Sequence, residues 1–356
     1  MSPAGPTTTS EPLITPRDLR DLIPLDTDAR AVVEAGRRAV ASVLTGTDPR
    51  LLVVVGPCSA HDAVAVLEYA ARLRITAAAL TDHLVIVMRV YLEKPRTTLG
   101  WKGLLTDPYL DGVGDLHAGL RLGRGLLRDV LDTGVPVASE ILDPMVAPYL
   151  ADAISWASIG ARTVQSQVHR QVASGLPMPV GFKNGTDGNI RVAADAVRAA
   201  ARPHVFPGAD DDGIPSVLRT GGNPYGHVVL RGGHQGANHG PPALDQARKV
   251  LRSAGLPERL VVDAAHGNSG GDHRRQVGVA ADLAEWIAAG DRTVRGVMLE
   301  SFLVEGHQDV RDGSSLVYGQ SITDECMAWS TTRGVLERLA ASAALRPLRA
   351  TPVSRR

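Results

Sequence analysis

Eight short apolar segments, rich in β-branched residues, recur along the chain and alternate with stretches typical of helices. They begin at Leu51, Leu84, Val135, Ser155, Met178, His227, Leu260 and Arg295. Continuous apolar runs that alternate with helices indicate a parallel sheet covered on both faces. Eight such units predict an α/β chain folded as a (β/α)8 TIM barrel. An open, doubly wound sheet is the structural alternative.

Each of these segments ends in, or leads into, a charged or potentially metal-binding side chain. In chain order these are Cys58, Arg89, Glu140, Arg162, Lys183, Arg231, His266 and Glu300. The C-terminal ends of barrel strands form the face on which active sites are built. In an open sheet, strand ends far from the switch point have little reason to carry such groups. The ordered series therefore favours a closed barrel with its active site at that face.

The rest of the chain predicts an N-terminal extension, a C-terminal tail and one insertion in the barrel. We expect residues 1–50 to be an N-terminal extension, with a flexible start and two helices that pack on a neighbouring subunit or across the barrel bottom. The catalytic barrel is predicted at 51–345 and a disordered tail at 346–356. Between the fifth and sixth strands, the Gly-, Pro- and Asp-rich segment after a helix near 191–201 predicts an inserted β-hairpin.

Composition narrows the classes of function. Lys plus Arg equals Asp plus Glu, 38 against 38, and aromatic residues make up only 4%. We therefore expect no nucleic-acid partner and no membrane surface. The chain has two cysteines, which excludes a disulfide framework, and no apolar leader or membrane span is apparent. A cytoplasmic location is the simplest expectation.

Four residues are candidates for a metal site, namely Cys58, His266, Glu300 and Asp324. Taken singly, Cys58 could be a small buried hydrophobe and Asp324 a helix N-cap. Together, a thiolate, an imidazole and two carboxylates on one face predict a divalent-metal site. Mn²⁺, Fe²⁺, Co²⁺ and Zn²⁺ all stay open for such a mixed ligand set.

A set of basic residues accompanies these ligands. It comprises Arg89, Lys94, Arg96, Arg162, Lys183 and Arg231. Solvated surface charge is the alternative, but their strand-end and glycine-rich flanks favour anion binding. Several cations beside a metal predict a substrate with more than one negative group. The chain contains no P-loop, so nucleotide binding is unsupported.

Several longer motifs carry a family resemblance from about Leu51 to Trp329. They are GPCSAHD, MRVYLEKPRTTLGWKGLLTDPYLDG, SWASIGARTVQSQVHRQVASGLPMPVGFKNGTDGNI, HVVLRGG, GVMLESFLVEG and YGQSITDECMAW. The sequence closely resembles the type I 3-deoxy-D-arabino-heptulosonate 7-phosphate (DAHP) synthases. The resemblance implies that the chain condenses phosphoenolpyruvate with erythrose 4-phosphate and water, releasing phosphate, in the first step of the shikimate pathway. It also implies a homo-oligomer, a dimer or a tetramer.

The resemblance assigns roles residue by residue. It implies that Cys58, His266, Glu300 and Asp324 hold the metal. It implies that phosphoenolpyruvate is bound by Arg89, Lys94, Arg162, Lys183 and Arg231, with Glu140 close by. Arg96 and Thr97, in KPRTT, would hold the phosphate of erythrose 4-phosphate.

The chemistry fits those roles. A metal polarises the aldehyde that the enol carbon attacks, and the cations stabilise phosphate and carboxylate charge. Arg89, Lys94 and His266 form the predicted catalytic group. We expect Lys94 to transfer the proton, because a lysine among cations can have a lowered pKa.

Departures from the family pattern lead to two further expectations. Pro177 and Gly208 alter positions associated with effector contacts, so we expect weak or altered feedback inhibition by Phe, Tyr or Trp. Oxidation could also bridge Cys58 and Cys326 in the apoenzyme and inactivate it.

Two alternative functions stay open. One is the related synthase that uses arabinose 5-phosphate, although KPRTT and the N-terminal extension favour the four-carbon sugar. The other is a catalytically silent metabolite-binding barrel, which retention of all the site residues disfavours.

Overall fold

A closed barrel of eight parallel strands forms the body of the protein. The computed structural model describes residues 8–310 and 315–346. The strands of the barrel are β1 (Leu51–Gly56), β2 (Leu84–Arg89), β3 (Val137–Glu140), β4 (Trp156–Ile159), β5 (Val180–Lys183), β8 (His227–Leu230), β9 (Leu260–Asp263) and β10 (Val294–Glu300). Around the barrel they lie in the order β1-β10-β9-β8-β5-β4-β3-β2. The predicted TIM barrel is confirmed, and the open sheet is excluded.

Most of the helices follow a strand and surround the barrel, whereas the first two precede the first strand. The helices are α1 (Pro16–Leu22), α2 (Thr27–Thr45), α3 (Ala63–Ala79), α4 (Leu116–Asp132), α5 (Ala147–Leu150), α6 (Gln167–Ala173), α7 (Arg191–Ala200), α8 (Pro241–Ser253), α9 (His266–Ser269), α10 (His273–Ala288) and α11 (Trp329–Ala344). Aspartate side chains begin several of them. Asp26, Asp62 and Asp115 each accept a hydrogen bond from a backbone N–H in the first turn of their helix.

The helix α2 lies against the N-terminal ends of the strands. Its Val40, Val43 and Leu44 join a buried cluster with inward-facing strand residues such as Leu52 and Val54. Gly36 permits this close approach, because a Cβ there would lie 2.6 Å from Oγ of Ser155. The lower opening of the barrel is thereby filled, and the C-terminal ends of the strands are left for the site.

The predicted insertion between the fifth and sixth barrel strands is an antiparallel hairpin, which confirms that part of the fold. It consists of β6 (Val205–Ala209) and β7 (Pro215–Arg219). Its turn contacts α1, where Arg17 pairs with Asp212 at 2.5 Å and Arg20 with Asp211 at 2.6 Å. The N-terminal extension is thus linked to the insertion by ion pairs.

The chain ends lie largely outside the described residues. Of the predicted disordered tail at 346–356, only Arg346 is described, and the flexible start is described from residue 8. Within the described ranges, no helix combines the length and hydrophobicity that crossing a bilayer requires.

Candidate active site at the C-terminal ends of the strands

The side chains predicted from the strand ends occupy one face of the barrel. Arg89, Glu140, Lys183 and Glu300 are the last residues of β2, β3, β5 and β10. Arg231 follows β8 directly, and Cys58 lies two residues beyond β1. Two positions differ from the expectation. Arg162 lies in a turn three residues beyond β4, and His266 starts the short helix α9 instead of lying in a loop.

Three of the four predicted metal ligands come together. His266, Glu300 and Asp324 each offer a ligand atom, and these atoms lie within 4.8 Å of one another. Nε2 of His266 is 3.6 Å from Oε1 of Glu300. The backbone of His266 is left-handed, with φ of 52°, which is costly for a residue other than glycine. The fold thus maintains backbone strain at the residue that contributes the imidazole to this group.

Cys58, the fourth predicted ligand, is not one of that group of three but lies beside it. It is fully buried, and its backbone N–H donates to Sγ of Cys326 at 3.3 Å. Burial raises the pKa of its thiol, with further increases from Cys326 and from the negative charges of Glu300 and Asp324. A cation among these groups would reverse the effect of the two carboxylates and favour the thiolate.

Arg89 is a buried cation with unused donors. Its Nη2 donates to Oε1 of Glu300 at 2.9 Å, and its guanidinium lies 4.2 Å from the centre of the Tyr91 ring. Burial alone would lower the pKa of Arg89, but the negative groups around it, with Glu300 foremost, together outweigh burial and raise the pKa. Its Nε and Nη1 have no hydrogen-bond partner among the described residues. Unpaired buried donors of this kind indicate a place for an anion.

The two lysines face carboxylates. Nζ of Lys94 is 3.0 Å from Asp324, and Nζ of Lys183 is 3.1 Å from Asp263. Burial alone would lower the pKa of Lys94, but the acidic groups around it, with Asp324 foremost, together outweigh burial and raise the pKa. The expectation that neighbouring cations lower the pKa of Lys94 is not met, because the acidic groups around Lys94 together outweigh burial and Arg89.

Two cavities meet at the Lys94–Asp324 pair. One, of about 240 Å³, is lined by the group of three that includes Asp324. The other, of about 460 Å³, is lined by Lys94, Arg96, Thr97, Lys102, Arg162 and Thr163 among others. All six of these side chains are cations or hydroxyls, which suit a phosphate. The site therefore has a carboxylate-rich compartment adjoining a cationic one.

Comparisons with known proteins show the family. The model of the DAHP synthetase I family matches residues 23–337. This chain belongs to the DAHP synthetase I family. The predicted family is therefore confirmed, and with it the predicted reaction, the condensation of phosphoenolpyruvate with erythrose 4-phosphate that begins aromatic biosynthesis.

Individual relatives cover nearly the whole chain. A Trp-sensitive phospho-2-dehydro-3-deoxyheptonate aldolase of Enterobacter agglomerans is 51% identical over 92% of this chain and 94% of the relative. A phospho-2-dehydro-3-deoxyheptonate aldolase of Corynebacterium glutamicum is 49% identical over 93% and 91%. The solved structure of the Francisella tularensis SCHU S4 protein of that name has a TM-score of 0.94 at 42% identity, covering 96% of this chain and 100% of that one.

Asp263 is a site residue that sequence reasoning missed in this family member. It ends β9, is fully buried, and its Oδ2 lies 3.0 Å from Nδ1 of His266 and 3.1 Å from Lys183. Burial would raise the pKa of Asp263, but His266 and Lys183 lower it overall. The signal was present in the sequence, since a charged residue ends the apolar run LVVD.

Glu93 and Gly160 were also missed. Glu93 lines the cationic cavity, and burial raises its pKa to about 8. Gly160 makes room for Glu140, because a Cβ at that glycine would lie 2.2 Å from Oε1 of Glu140. That oxygen has no hydrogen-bond partner among the described residues. Gly160 of the GART motif therefore makes room for the side chain of Glu140, a packing role that the sequence did not indicate.

Proposed function

We propose that this DAHP synthase carries out its condensation where the two cavities meet, with a divalent metal ion on one side and the phosphate groups of the substrates on the other. The observation that carries this proposal is the convergence of His266, Glu300 and Asp324 beside the buried cations Arg89 and Lys94. Carboxylates and an imidazole beside unpaired cationic donors suit a metal and an anion together.

The metal would be held by His266, Glu300, Asp324 and Cys58. The donor set fits a transition-metal ion, because it combines imidazole, carboxylate and a thiol adjacent to both acids. When bound, such an ion supplies Lewis acidity toward a carbonyl oxygen or a water molecule. The chain's own contribution is to fix the imidazole of His266 through Asp263 and to place Glu300 against Arg89.

Phosphoenolpyruvate would be bound by Arg89, Lys94, Arg162, Lys183 and Arg231. Support comes from the two unpaired guanidinium nitrogens of Arg89 and from the burial of Lys183, which is 4% exposed. Buried, pre-oriented cations stabilise the carboxylate and the departing phosphate without the reorganisation that water would need. The unpaired oxygen of Glu140 lies at the same strand ends.

Erythrose 4-phosphate would be bound in the cationic cavity. Arg96 and Thr97 line it, and Nε of Arg96 is oriented by a hydrogen bond to the carbonyl of Trp101 at 3.0 Å. The remaining guanidinium nitrogens offer a planar fork to a phosphate. The sugar's phosphate would then lie beside Arg96 and Thr97, and its aldehyde end would face the Lys94–Asp324 pair.

Proton transfer is assigned to Lys94, with Arg89 and His266 completing the catalytic group. The support is positional, because Nζ of Lys94 lies at the junction of the two cavities. Replacement by methionine keeps the length and removes the transferable proton. We expect Lys94→Met to abolish turnover, and near-normal turnover would eliminate this role.

One assay tests the proposed function as a whole. Phosphate release is measured with phosphoenolpyruvate and either erythrose 4-phosphate or arabinose 5-phosphate, with and without chelator, and after adding back Mn²⁺, Fe²⁺, Co²⁺ or Zn²⁺. We expect release with erythrose 4-phosphate only, loss on chelation and recovery with at least one ion. Full activity in chelator would contradict the metal site, and preference for the pentose would contradict the assigned sugar pocket.

Three further properties belong to this proposal. A cytoplasmic location is supported by the two cysteines, both of which are free and buried. We propose that the chain forms a homo-oligomer, a dimer or a tetramer, and light scattering measures its mass. Weak or altered feedback is proposed from Pro177 and Gly208, and strong inhibition by millimolar Phe or Tyr would contradict it.

A further inference from the structure

The main chain at Glu300 is a junction between the chain segments that carry the predicted metal ligands. The N–H of the residue that follows Glu300 donates to the carbonyl of Gly56, two positions before Cys58, at 3.0 Å. The carbonyl of Glu300 accepts from the N–H of Met327, three positions after Asp324, also at 3.0 Å. Backbone hydrogen bonds therefore connect the end of β10 to the segments of two other predicted ligands.

The side chain of Gln276 makes the connection to the remaining ligand segment. Gln276 is fully buried in α10, the helix that closely follows His266 in the chain. Its Oε1 accepts from the N–H of Glu300 at 2.6 Å, and its Nε2 donates to the carbonyl of Glu300 at 3.0 Å. One side-chain amide thus binds both main-chain polar groups of a single residue and links that residue to the segment of His266.

The amide lies where the sheet lacks a neighbouring strand. β9 ends at Asp263, which is paired with Met298 of β10, and the carbonyl of Met298 accepts from the N–H of Ala264 at 2.9 Å. Beyond that point β10 continues to Glu300 while the neighbouring chain leaves the sheet. An unpaired backbone N–H buried there would cost free energy. Gln276 therefore replaces the hydrogen bonds that a longer β9 would make.

A buried amide of this kind can serve stability alone, and the chain contains an example. Asn223 is 3% exposed, accepts from the N–H of Tyr225 at 3.0 Å and donates to the carbonyl of Met178 at 2.8 Å. Asn223 does not line the 240 Å³ cavity, whereas Gln276 lines it together with His266, Glu300 and Asp324. The difference lies in where the two amides act, because Gln276 holds the backbone of a predicted ligand.

We propose that Gln276 is a positioning residue for the metal centre, whose amide fixes Glu300 relative to His266 so that their ligand atoms lie together before an ion binds. This role rests on the metal site proposed above. Gln276 holds the main chain of Glu300, and Arg89 holds its carboxylate at 2.9 Å. Ligands that are already in place lose less conformational freedom on binding, so their affinity for the ion is higher.

A Co²⁺ titration of the metal-free enzyme without substrate tests this role. Gln276→Met keeps the length of the side chain and removes both hydrogen bonds, and Gln276→Asn keeps the amide but shortens its reach. We expect both variants to bind Co²⁺ about 10- to 100-fold more weakly than the wild type. In the metal-free protein, hydrogen exchange at the backbone N–H of Glu300 should be faster in both variants, which reports the lost contact without any metal.

Asn223→Leu is the matched control, because it removes a buried amide that holds backbone groups away from the cavity. It should lower the thermal stability but keep the Co²⁺ affinity of the wild type. Circular dichroism confirms folding, and Gln276→Asn carries the comparison if Gln276→Met does not fold.

Two results would overturn the positioning role and leave Gln276 with a purely structural one. The first is wild-type Co²⁺ affinity in the folded Gln276 variants, and the second is an equal loss of affinity in Asn223→Leu. A wild type that binds no Co²⁺ would contradict the metal site itself, and with it any role of Gln276 toward a metal. The wild-type titration therefore separates failure of the proposed site from failure of this inference.

Discussion

The carboxylate of Asp263 lies 3.0 Å from Nδ1 of His266, while Nε2 of the same ring is 3.6 Å from Glu300. One side of the imidazole therefore faces a buried acid and the other faces the candidate metal ligands. Asp263 also faces Lys183 at 3.1 Å, so a single carboxylate lies against both a proposed metal ligand and a proposed substrate-binding cation. This explains why a fully buried charge is maintained at the end of an apolar strand.

Asp263→Asn should weaken metal binding. Loss of a carboxylate behind a metal-bound imidazole typically lowers affinity by about 10- to 100-fold. We expect a reduction of that size in a Co²⁺ titration without substrate, which separates the effect from that on Lys183. Asp282→Asn is the matched control, since Asp282 faces His239 at 3.6 Å outside the cavity. Equal affinities for the wild type and Asp263→Asn would refute the orienting role.

Arg96→Ala should affect one substrate selectively. If Arg96 binds the phosphate of erythrose 4-phosphate, its loss removes charge-assisted hydrogen bonds that contribute about 1.5–3 kcal/mol, or about 10- to 100-fold in affinity. The KM for the sugar phosphate should rise by that factor and the KM for phosphoenolpyruvate should change little. Arg121→Ala, on the exposed surface of α4, is the control. An equal rise in both KM values would argue against the assignment.

Gly160→Ala should lower stability and disturb Glu140. The added Cβ would lie 2.2 Å from Oε1 of Glu140, and overpacking of this kind costs about 1–3 kcal/mol. Gly125→Ala is a useful contrast, because Gly125 is in α4 and no neighbouring atom lies within 4 Å of the added Cβ. That change should stabilise the protein by about 0.5–1 kcal/mol. Urea unfolding measures the stability of both variants. Equal changes in the free energy of unfolding would show that the clash at position 160 is relieved by a small movement.

The fold and much of the site could be predicted because each strand end carries its own local signal. Glu300 and Lys183 are charged residues at the ends of apolar runs, and the barrel brings such ends together. Asp263 could not be singled out from the sequence, because His266, a potential metal ligand, follows three positions later and accounts for a polar strand end by itself. The direction in which the pKa of Lys94 shifts could not be predicted, because it depends on which charged groups lie around the lysine. The nearest of these is Asp324, which is 230 positions away in the chain.

Cys326→Ser should protect the metal-free enzyme from oxidation. The backbone N–H of Cys58 contacts Sγ of Cys326, and the two thiols could lose two protons and two electrons to peroxide, giving a disulfide and two waters. Burial raises the pKa of Cys58, so we expect slow inactivation at neutral pH. Mass spectrometry and recovery with dithiothreitol check the bridge. An unchanged rate of inactivation in Cys326→Ser would exclude it.

Glu93 should make stability depend on pH. Burial raises its pKa in the folded state to about 8, whereas an unfolded glutamate has a pKa of about 4.3. Between those values the native state binds more protons than the unfolded state. The contribution of Glu93 to stability is therefore fully present below about pH 4.3 and is lost as the pH rises through 8. In that range the free energy of unfolding can fall by up to about 1.36 kcal/mol per pH unit.

Glu93→Gln should remove this dependence, because the amide stays neutral. The free energy of unfolding in urea is compared for wild type and variant at about pH 5 and about pH 8. We expect the variant to gain stability relative to the wild type as the pH rises. Glu34→Gln is the control, since the Glu34 side chain is 64% exposed. Parallel pH profiles for wild type and Glu93→Gln would mean that Glu93 titrates like an exposed acid and that its burial is relieved by water in the cationic cavity.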